Sequence, residues 1–329
     1  MEKAGRLAEI FRGFFSKYNG KRIAIATHNK ADVDGISAAY ALSKAFPGSV
    51  IVSSEEMNQG AKMLGERLGI KVERFENIKK KDFEGLIVVD TSAYTLAPDA
   101  QGWKILLIID HHRPDGRDMK GEFEILDPSS PSSAEIIYQI LSDPSSKIAS
   151  SVDADSAFAL SVGIIADGAR FKSARAQTFT ALSKLMEIAQ AQYAELLEYA
   201  EPEPEADAKI AMLKAMQRVN FIYAGGYIVA TSEVGSNESD AASIITEAAD
   251  VAFVAKWKDK EKETRISARA AKSVKIPLNE VMGEVAKELG GAGGGHAKAA
   301  GAALKAHTDE SLKKCVEVFI LKAEKSRMG

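Results

Sequence analysis

Short, unbroken apolar runs alternate with helical periodicity through the first half of the chain, and each run empties into acids or histidines. Lys21–Thr27 leads into His28-Asn29-Lys30-Ala31-Asp32-Val33-Asp34-Gly35, Leu86–Val89 into Asp90, and Ile105–Ile109 into Asp110-His111-His112. Runs this short and continuous suit strands buried on both faces of a parallel sheet. Between them the spacing predicts helices over 35–46, 58–68 and 132–141, the last opened by the capping sequence Ser132-Ser133-Ala134-Glu135 after Pro131. A helix over 154–165 would put Asp167 at a helix C-terminus. The N-terminal stretch carries Leu7, Ile10, Phe11, Phe14 and Phe15 at helical spacing, which predicts an amphipathic helix.

Strand and helix alternation of this kind predicts a doubly wound, mostly parallel α/β sheet with helices on both faces. The pattern is helical over 174–199 and again near 207–216, with the acidic proline run Glu201-Pro202-Glu203-Pro204-Glu205 between them. Beyond it, β-like segments (227–231, 251–257, 265–270) mix with helices (240–249, 277–289), which predicts a smaller mixed α/β lobe. The expected division is a catalytic, metal-binding domain over 1–190, a helical and acidic linker over 191–215, and a substrate-binding domain over 216–329.

Composition narrows the function. The 329 residues carry a formal net charge of −3, which argues against holding long nucleic acid by bulk electrostatics, so any polyanion contact must be local. One cysteine, Cys315, sits in apolar sequence and predicts a buried helix thiol. No run approaches the ~20 apolar residues that cross a bilayer, and a cytoplasmic protein without membrane contact is expected.

Taken singly, an Asp at a strand end is often a helix cap and a His a hydrogen-bonded structural residue. Their joint recurrence at the ends of parallel strands, which converge on one crevice, points instead to a metal site. Mixed carboxylate and imidazole ligands favour Mn(II), with Mg(II) or Co(II) as substitutes. Two adjacent ions, served by His28, Asp32, Asp34 and Asp90, would suit two-metal hydrolysis of a phosphoryl group. Near the C-terminus, Gly290-Gly291-Ala292-Gly293-Gly294-Gly295-His296 lets backbone amides approach an anion while an imidazole faces it.

With H-x3-D-x-D, a strand-end Asp, D-H-H, a late Asp and the GGGH-x-x-A-A-G stretch, the sequence resembles the DHH phosphoesterases along nearly its whole length. The family includes RecJ-like exonucleases, oligoribonucleases, cyclic-dinucleotide phosphodiesterases and inorganic pyrophosphatases. The resemblance implies one metal on His28, Asp32 and Asp90, and a second on Asp34, Asp90, His111 and Asp167. It implies that His112 contacts the scissile phosphate, that Asp110 sets the histidine pair, and that Ser267, Arg269, Gly294, Gly295 and His296 grip substrate reaching across from the metal lobe. Lys30, Arg113 and Arg170 would add positive potential beside the phosphate. Two departures stand out: Ala31 where the family often has Pro, and Gly168 where it has Thr.

The expected activity is Mn-dependent hydrolysis of short single-stranded oligonucleotides by attack of hydroxide on phosphorus. Cyclic di-AMP, the bisphosphate pAp, and single-stranded DNA digested in the RecJ manner are the enzymatic alternatives. A non-catalytic replication or repair scaffold, docking to a protein partner, is the alternative from another class. Dimerisation is left open.

Overall fold

The structure, a computed structural model, describes residues 2–113, 116–144, 152–168 and 171–328. Arg170 lies outside them. The chain divides into two compact units, residues 1–203 and 204–329, and the division falls inside the acidic proline run.

The first unit runs α1 (Glu2–Tyr18), β1 (Ala24–Ala26), α2 (Val33–Ala45), β2 (Val50–Ser53), α3 (Gln59–Leu68), β3 (Val72–Arg74), β4 (Leu86–Val89), β5 (Ile105–Asp110), β6 (Phe123–Leu126), α4 (Ser133–Ser142), α5 (Ala154–Asp167), α6 (Ala176–Ala189) and α7 (Tyr193–Ala200). Its six strands are all parallel, in the order β3-β2-β1-β4-β5-β6. From β1 the chain steps outward to β2 and β3, then returns to β4 and steps the other way to β5 and β6. The order therefore reverses between β1 and β4, the switch point at which carboxyl-end crevices open in such sheets.

One part of the expected architecture is corrected. One sheet face, with Ile25, Ile51, Ile87, Val89, Ile109 and Ile125, packs against α1, α2 and α4, and the apolar core continues outward through α3, α5, α6 and α7. The other, with Ala24, Ala26, Val52, Leu86, Val88 and Ile108, is covered by Ala97, Ala100, Met119 and the rings of Phe75, Phe83 and Trp103. These belong to connecting loops and short 3-10 turns at Phe75–Asn77 and Pro98–Ala100, so among the described residues no α-helix packs on that face. Right-handed crossovers send the two halves of the winding to opposite faces, but the connections after β3, β4 and β5 carry too little helical periodicity to form an α-helix.

The 174–199 pattern is also two helices. Gln190 adopts a left-handed conformation at the end of α6, which an apolar stripe continuing through Ala191 and Leu196 conceals. At the start of α4, Ser132 accepts from the Glu135 amide at 3.1 Å, but the Glu135 carboxylate does not return the bond. It is fully buried and takes Thr178 Oγ1 (2.6 Å), Gln139 Nε2 (3.0 Å) and the Arg175 guanidinium, tying α4 to α6. Removing the arginine strands a buried charge, so Arg175→Met is expected to cost about 3 kcal/mol. Urea unfolding checks this, and adding Glu135→Gln to the same protein should recover most of the loss.

The second unit runs α8 (Ala206–Gln217), β7 (Asn220–Ala224), β8 (Tyr227–Glu233), α9 (Glu238–Ile245), β9 (Val251–Lys258), β10 (Glu263–Ala270), α10 (Leu278–Leu289), β11 (Gly291–Gly295), β12 (Ala299–Leu304) and α11 (Thr308–Met328). Its sheet is ordered β11-β12-β10-β9-β8-β7 and is antiparallel except for β8 beside β9. Phe253, Ile266 and Leu304 pack on α10 and α11; Ala252 and Val254 pack on α8 and α9. Cys315 is buried in α11, where burial pushes its thiol up to about 12. The glycine run is itself an edge strand. A side chain at Gly293 would place its Cβ 2.2 Å from the Met282 carbonyl, so only glycine lets α10 pass that close over β11.

Candidate metal centre

At the switch point, the chain leaving β1 carries His28 and turns into α2, whose N-cap is Asp32; its side chain accepts from the Gly35 amide at 3.0 Å. Gly35 is required by space: a Cβ there would sit 2.0 Å from Thr27 Oγ1 and 3.4 Å from Asp90 Oδ2. Asp34, in the first turn of α2, is buried and accepts from the backbone amides of Ser133 (2.6 Å) and Ala134 (2.8 Å) at the N-terminus of α4. The unpaired amides and dipole of that helix end compensate a carboxylate taken out of water.

Asp90 follows β4 with φ of 64°, a left-handed conformation unusual for a residue with a side chain. Its amide is anchored to the Ile109 carbonyl at 2.9 Å, and its Oδ1 accepts from Ser133 Oγ at 3.0 Å. The next strand ends in Asp110, which is buried and accepts from Ser92 Oγ (2.7 Å), the His112 amide (3.0 Å) and His112 Nδ1 (2.8 Å). Asp167 closes the site from the C-terminal end of α5.

The carboxylates and imidazoles converge. His28 Nε2 is 3.4 Å from Asp32 Oδ2 and 3.7 Å from Asp90 Oδ2; His111 Nε2 is 3.4 Å from Asp90 Oδ1 and 3.2 Å from Asp167 Oδ2. Three groups bring one ligand atom from each member within 4.8 Å of the others: His28–Asp32–Asp90, Asp34–His111–Asp167 and Asp90–His111–His112. Asp90 is common to two of them.

The donors suit divalent cations. His111 Nδ1 lies 3.3 Å from the Ser130 carbonyl, an acceptor only, and that contact turns the ring so that Nε2 faces the carboxylates. That Nε2 is buried and has no hydrogen-bond partner, the state of a ring nitrogen held ready for a metal. Burial, with the charges of Asp90 and Asp167 added, pushes Asp34 well above the usual carboxylate range. Burial and then Asp32 push Asp90 well above it, and burial also raises Asp167. Acids crowded this way hold protons that cations replace.

Asp32 goes the other way. Burial pushes it up, but the hydrogen bond and charge of His28, with the Gly35 amide, outweigh that and leave it below its ordinary value. At Asp110 burial is likewise outweighed, by His112 and Ser92, while the bond to Asp110 raises His112. The His112 side chain is about half exposed (53%).

In the second unit, β10, β12 and β11 align Ser267, Gly301 and Gly294 in one row, with Arg265, Ala303 and Ala292 in the next. Both rows line a groove of about 500 Å³ edged by Glu238 and Ser239 of α9. Arg269 is not part of that lining; its Nη2 donates to Ser239 Oγ at 2.7 Å and its Nε to Ser243 Oγ at 3.4 Å. Gly295 and His296 stand exposed where β11 turns into β12, the turn closed by the His296 amide on the Ala299 carbonyl at 2.8 Å.

Several contributors escaped the sequence reading. Ser133 reaches two site acids at once, Ser92 steadies Asp110, and Ser130 orients His111. Nothing in their spacing distinguishes them from ordinary capping and turn serines. Arg265 was within reach: Arg265, Ser267 and Arg269 alternate with period two and so share a sheet face. Lys30 and Arg113 are exposed.

Residues 22–164 match the DHH family, N-terminal domain, and residues 222–325 match the DHHA1 domain. The uncharacterized protein MJ0988 of Methanocaldococcus jannaschii is 30% identical over 298 residues, covering 87% of this chain and 88% of that one. The chain belongs to the DHH family. DHH proteins are metal-dependent phosphoesterases, and this DHH chain is an enzyme of that class.

Solved structures of similar fold include an exopolyphosphatase-related protein from Bacteroides fragilis, with a TM-score of 0.78 at 14% identity over 97% of this chain and 96% of that one. CDC45 from Entamoeba histolytica has a TM-score of 0.50 at 10% identity over 97% and 99%. At these identities the likeness is one of fold. No helix among the described residues of the DHH chain is long and apolar enough to cross a membrane.

Proposed function

We propose that the protein is a Mn(II)-dependent phosphodiesterase that hydrolyses short single-stranded oligonucleotides. The carrying observation is that two histidines approach opposite oxygens of one buried carboxylate, Asp90: His28, beside Asp32, at 3.7 Å from Oδ2 and His111, beside Asp167, at 3.4 Å from Oδ1. His28, Asp32 and Asp90 would hold one ion, and Asp34, Asp90, His111 and Asp167 the other. Two ions in that position would neutralise the oxygens of a phosphoryl group and acidify water, the usual logic of two-metal hydrolysis.

The chain's own residues supply the rest. His112, held by Asp110 with its Nδ1 proton committed, presents Nε2 to a phosphate oxygen, and its raised pKa keeps the ring a donor to higher pH than a free histidine. Asp110 acts through His112 as its positioning residue. In the second unit, the groove pairs Gly293, Gly294 and Gly301 with Ser267 and the half-exposed side chain of Arg265, and Arg269 holds Ser239 at its edge. Arginine's planar fork suits phosphate. A groove of about 500 Å³ and a net charge of −3 favour a short substrate over a long strand tracked by many cations.

A digestion panel tests this reading. In Mn(II) the protein is offered a labelled five-nucleotide RNA, the matching DNA, a long single strand, cyclic di-AMP and pAp. Fast loss of the short strands supports the proposal. Preference for cyclic di-AMP, pAp or the long strand moves the activity to that substrate, and a Mn(II)-loaded protein that leaves all five intact overturns the oligonucleotide reading. A further expected outcome is that Arg265→Ala raises KM for the pentanucleotide about 10- to 100-fold, the worth of a charged hydrogen bond. Its kcat on bis-p-nitrophenyl phosphate, which is too small to need the groove, should stay unchanged.

A further inference from the structure

The second unit ends its sheet on a strand with unusual surface chemistry. β7 (Asn-Phe-Ile-Tyr-Ala) pairs with β8 on one side only, and among the described residues no strand lies on its outer edge. Phe221 is 71% exposed, Ile222 43% and Tyr223 75%, and Ile228 of β8, opposite Tyr223, is 37% exposed. On α8, Ala211 and Ala215 face the core, while Ile210, Leu213 and Met216 are exposed by 51%, 62% and 55%. These seven are more than half of the large apolar side chains exposed by over a third among the described residues. Phe221 and Tyr223 share the sheet face on which α8 packs, because they pair with Ala230 and Ile228 and so fall in line with Ala252 and Val254.

Soluble proteins guard such edges with Lys, Pro, bulges or cover. β7 has no charge, proline or bulge, and residues 219–231 contain no charged residue at all. Two aromatics of roughly 200 Å² each, exposed by nearly three quarters, already hold on the order of 300 Å². Ile228 extends the same face of the β7–β8 hairpin, and Ile222 adds an apolar side chain on the other face of the strand, so the unpaired edge is apolar on both sides.

We infer that β7 is the dimerisation strand of this protein, pairing antiparallel with β7 of a second copy about a two-fold axis at Ile222. Of possible occupants, a second copy fits best because the strand is complementary to itself. In that register Asn220 meets the second copy's Ala224, Phe221 meets its Tyr223, and Ile222 meets its Ile222. Two aromatic cross-strand pairs form on the α8 face and an isoleucine pair on the other, with no like charges opposed. The two six-stranded sheets become one of twelve strands, and each copy keeps its own metal centre. The inference is independent of the phosphodiesterase reading.

Sedimentation velocity on the full chain should give twice the 35.3 kDa monomer mass at micromolar concentration. Ile222→Lys, which sets two ammonium groups face to face on the axis, should return it to monomer with an unchanged far-UV spectrum and a melting temperature that no longer rises with protein concentration. Ile222→Cys supplies a second readout that does not depend on tolerance of a charge. Cys315 is buried and is the one native cysteine, so mild oxidation should yield a disulfide-linked dimer at position 222 and none for an exposed control such as Lys260→Cys. A wild-type monomer at 100 µM without crosslinking at 222 would overturn the proposal. So would a dimer that Ile222→Lys leaves intact and that does not crosslink through Cys at position 222, since another face would then hold it.

Discussion

Asp90→Asn is expected to lower kcat for any phosphodiester substrate by about 10³-fold or more while leaving the fold intact. Asn keeps the shape of Asp and tolerates the left-handed conformation that residue 90 adopts, so backbone strain does not confound the result. What is lost is the carboxylate shared between ligand groups. Metal ions contribute several kcal/mol of transition-state charge stabilisation, and at about 1.4 kcal/mol per decade a loss of 4 kcal/mol is roughly 10³ in rate. Single-turnover rates in saturating Mn(II), with calorimetric Mn(II) stoichiometry, are the measurements. A folded Asp90→Asn protein that retains full activity and two bound ions would remove Asp90 from the bridging role.

The second large effect concerns metal and pH together. In the metal-free protein the pKa values of Asp34, Asp90 and Asp167 are raised by burial and mutual charge. A raised acid binds more protons in the folded than in the unfolded state, so stability falls as pH rises. This contribution is fully present below the unfolded carboxylate range near pH 4 and is lost as pH climbs through the raised folded values. Asp32 and Asp110 are lowered, and their contributions disappear only on the acid side, as pH falls through their folded values.

Mn(II) replaces the protons the crowded acids hold, so its stabilisation should grow with pH. The expected result is a larger Mn(II)-induced rise in melting temperature at pH 8 than at pH 5.5, with EDTA reversing both. At a hundredfold excess over Kd the gain is about 2.7 kcal/mol. A rise that is equal at the two pH values would mean the ions do not displace those protons. Asp34→Asn should shrink the pH-8 rise without abolishing it, because His28, Asp32 and Asp90 remain.

Much of this protein was legible in one dimension because parallel strands buried on both faces must be short apolar runs, and their ends must carry whatever chemistry the crevice performs. That pattern alone located His28, Asp32, Asp34, Asp90, Asp110, His111 and His112 at strand ends, and helical spacing put Asp167 at the end of α5. It could not show the one-sided helical cover, since loops that cover a sheet need only a few rings and methyl groups, such as those of Phe75, Ala97 and Trp103, at no fixed period.

Nor could it read Ser133. A capping sequence says that a helix starts there, but only the packing of α4 against α2 aims its free amides at Asp34, a hundred positions away. That the glycine run is a strand was hidden for a related reason: composition reports freedom, whereas the closeness of α10 makes Gly291–Gly295 a strand with Gly293 under the helix. Likewise, Asn-Phe-Ile-Tyr-Ala is ordinary β sequence until the sheet order leaves it at an edge with its rings in water. The sequence by itself determined which acids and histidines stand at the ends of strands and of α5, since that follows from local pattern and covalent neighbourhood. Tertiary structure alone decided which acids lie within a few ångströms of one another, which histidine nitrogen is left bare and which apolar strand has no cover, because those are properties of long-range packing.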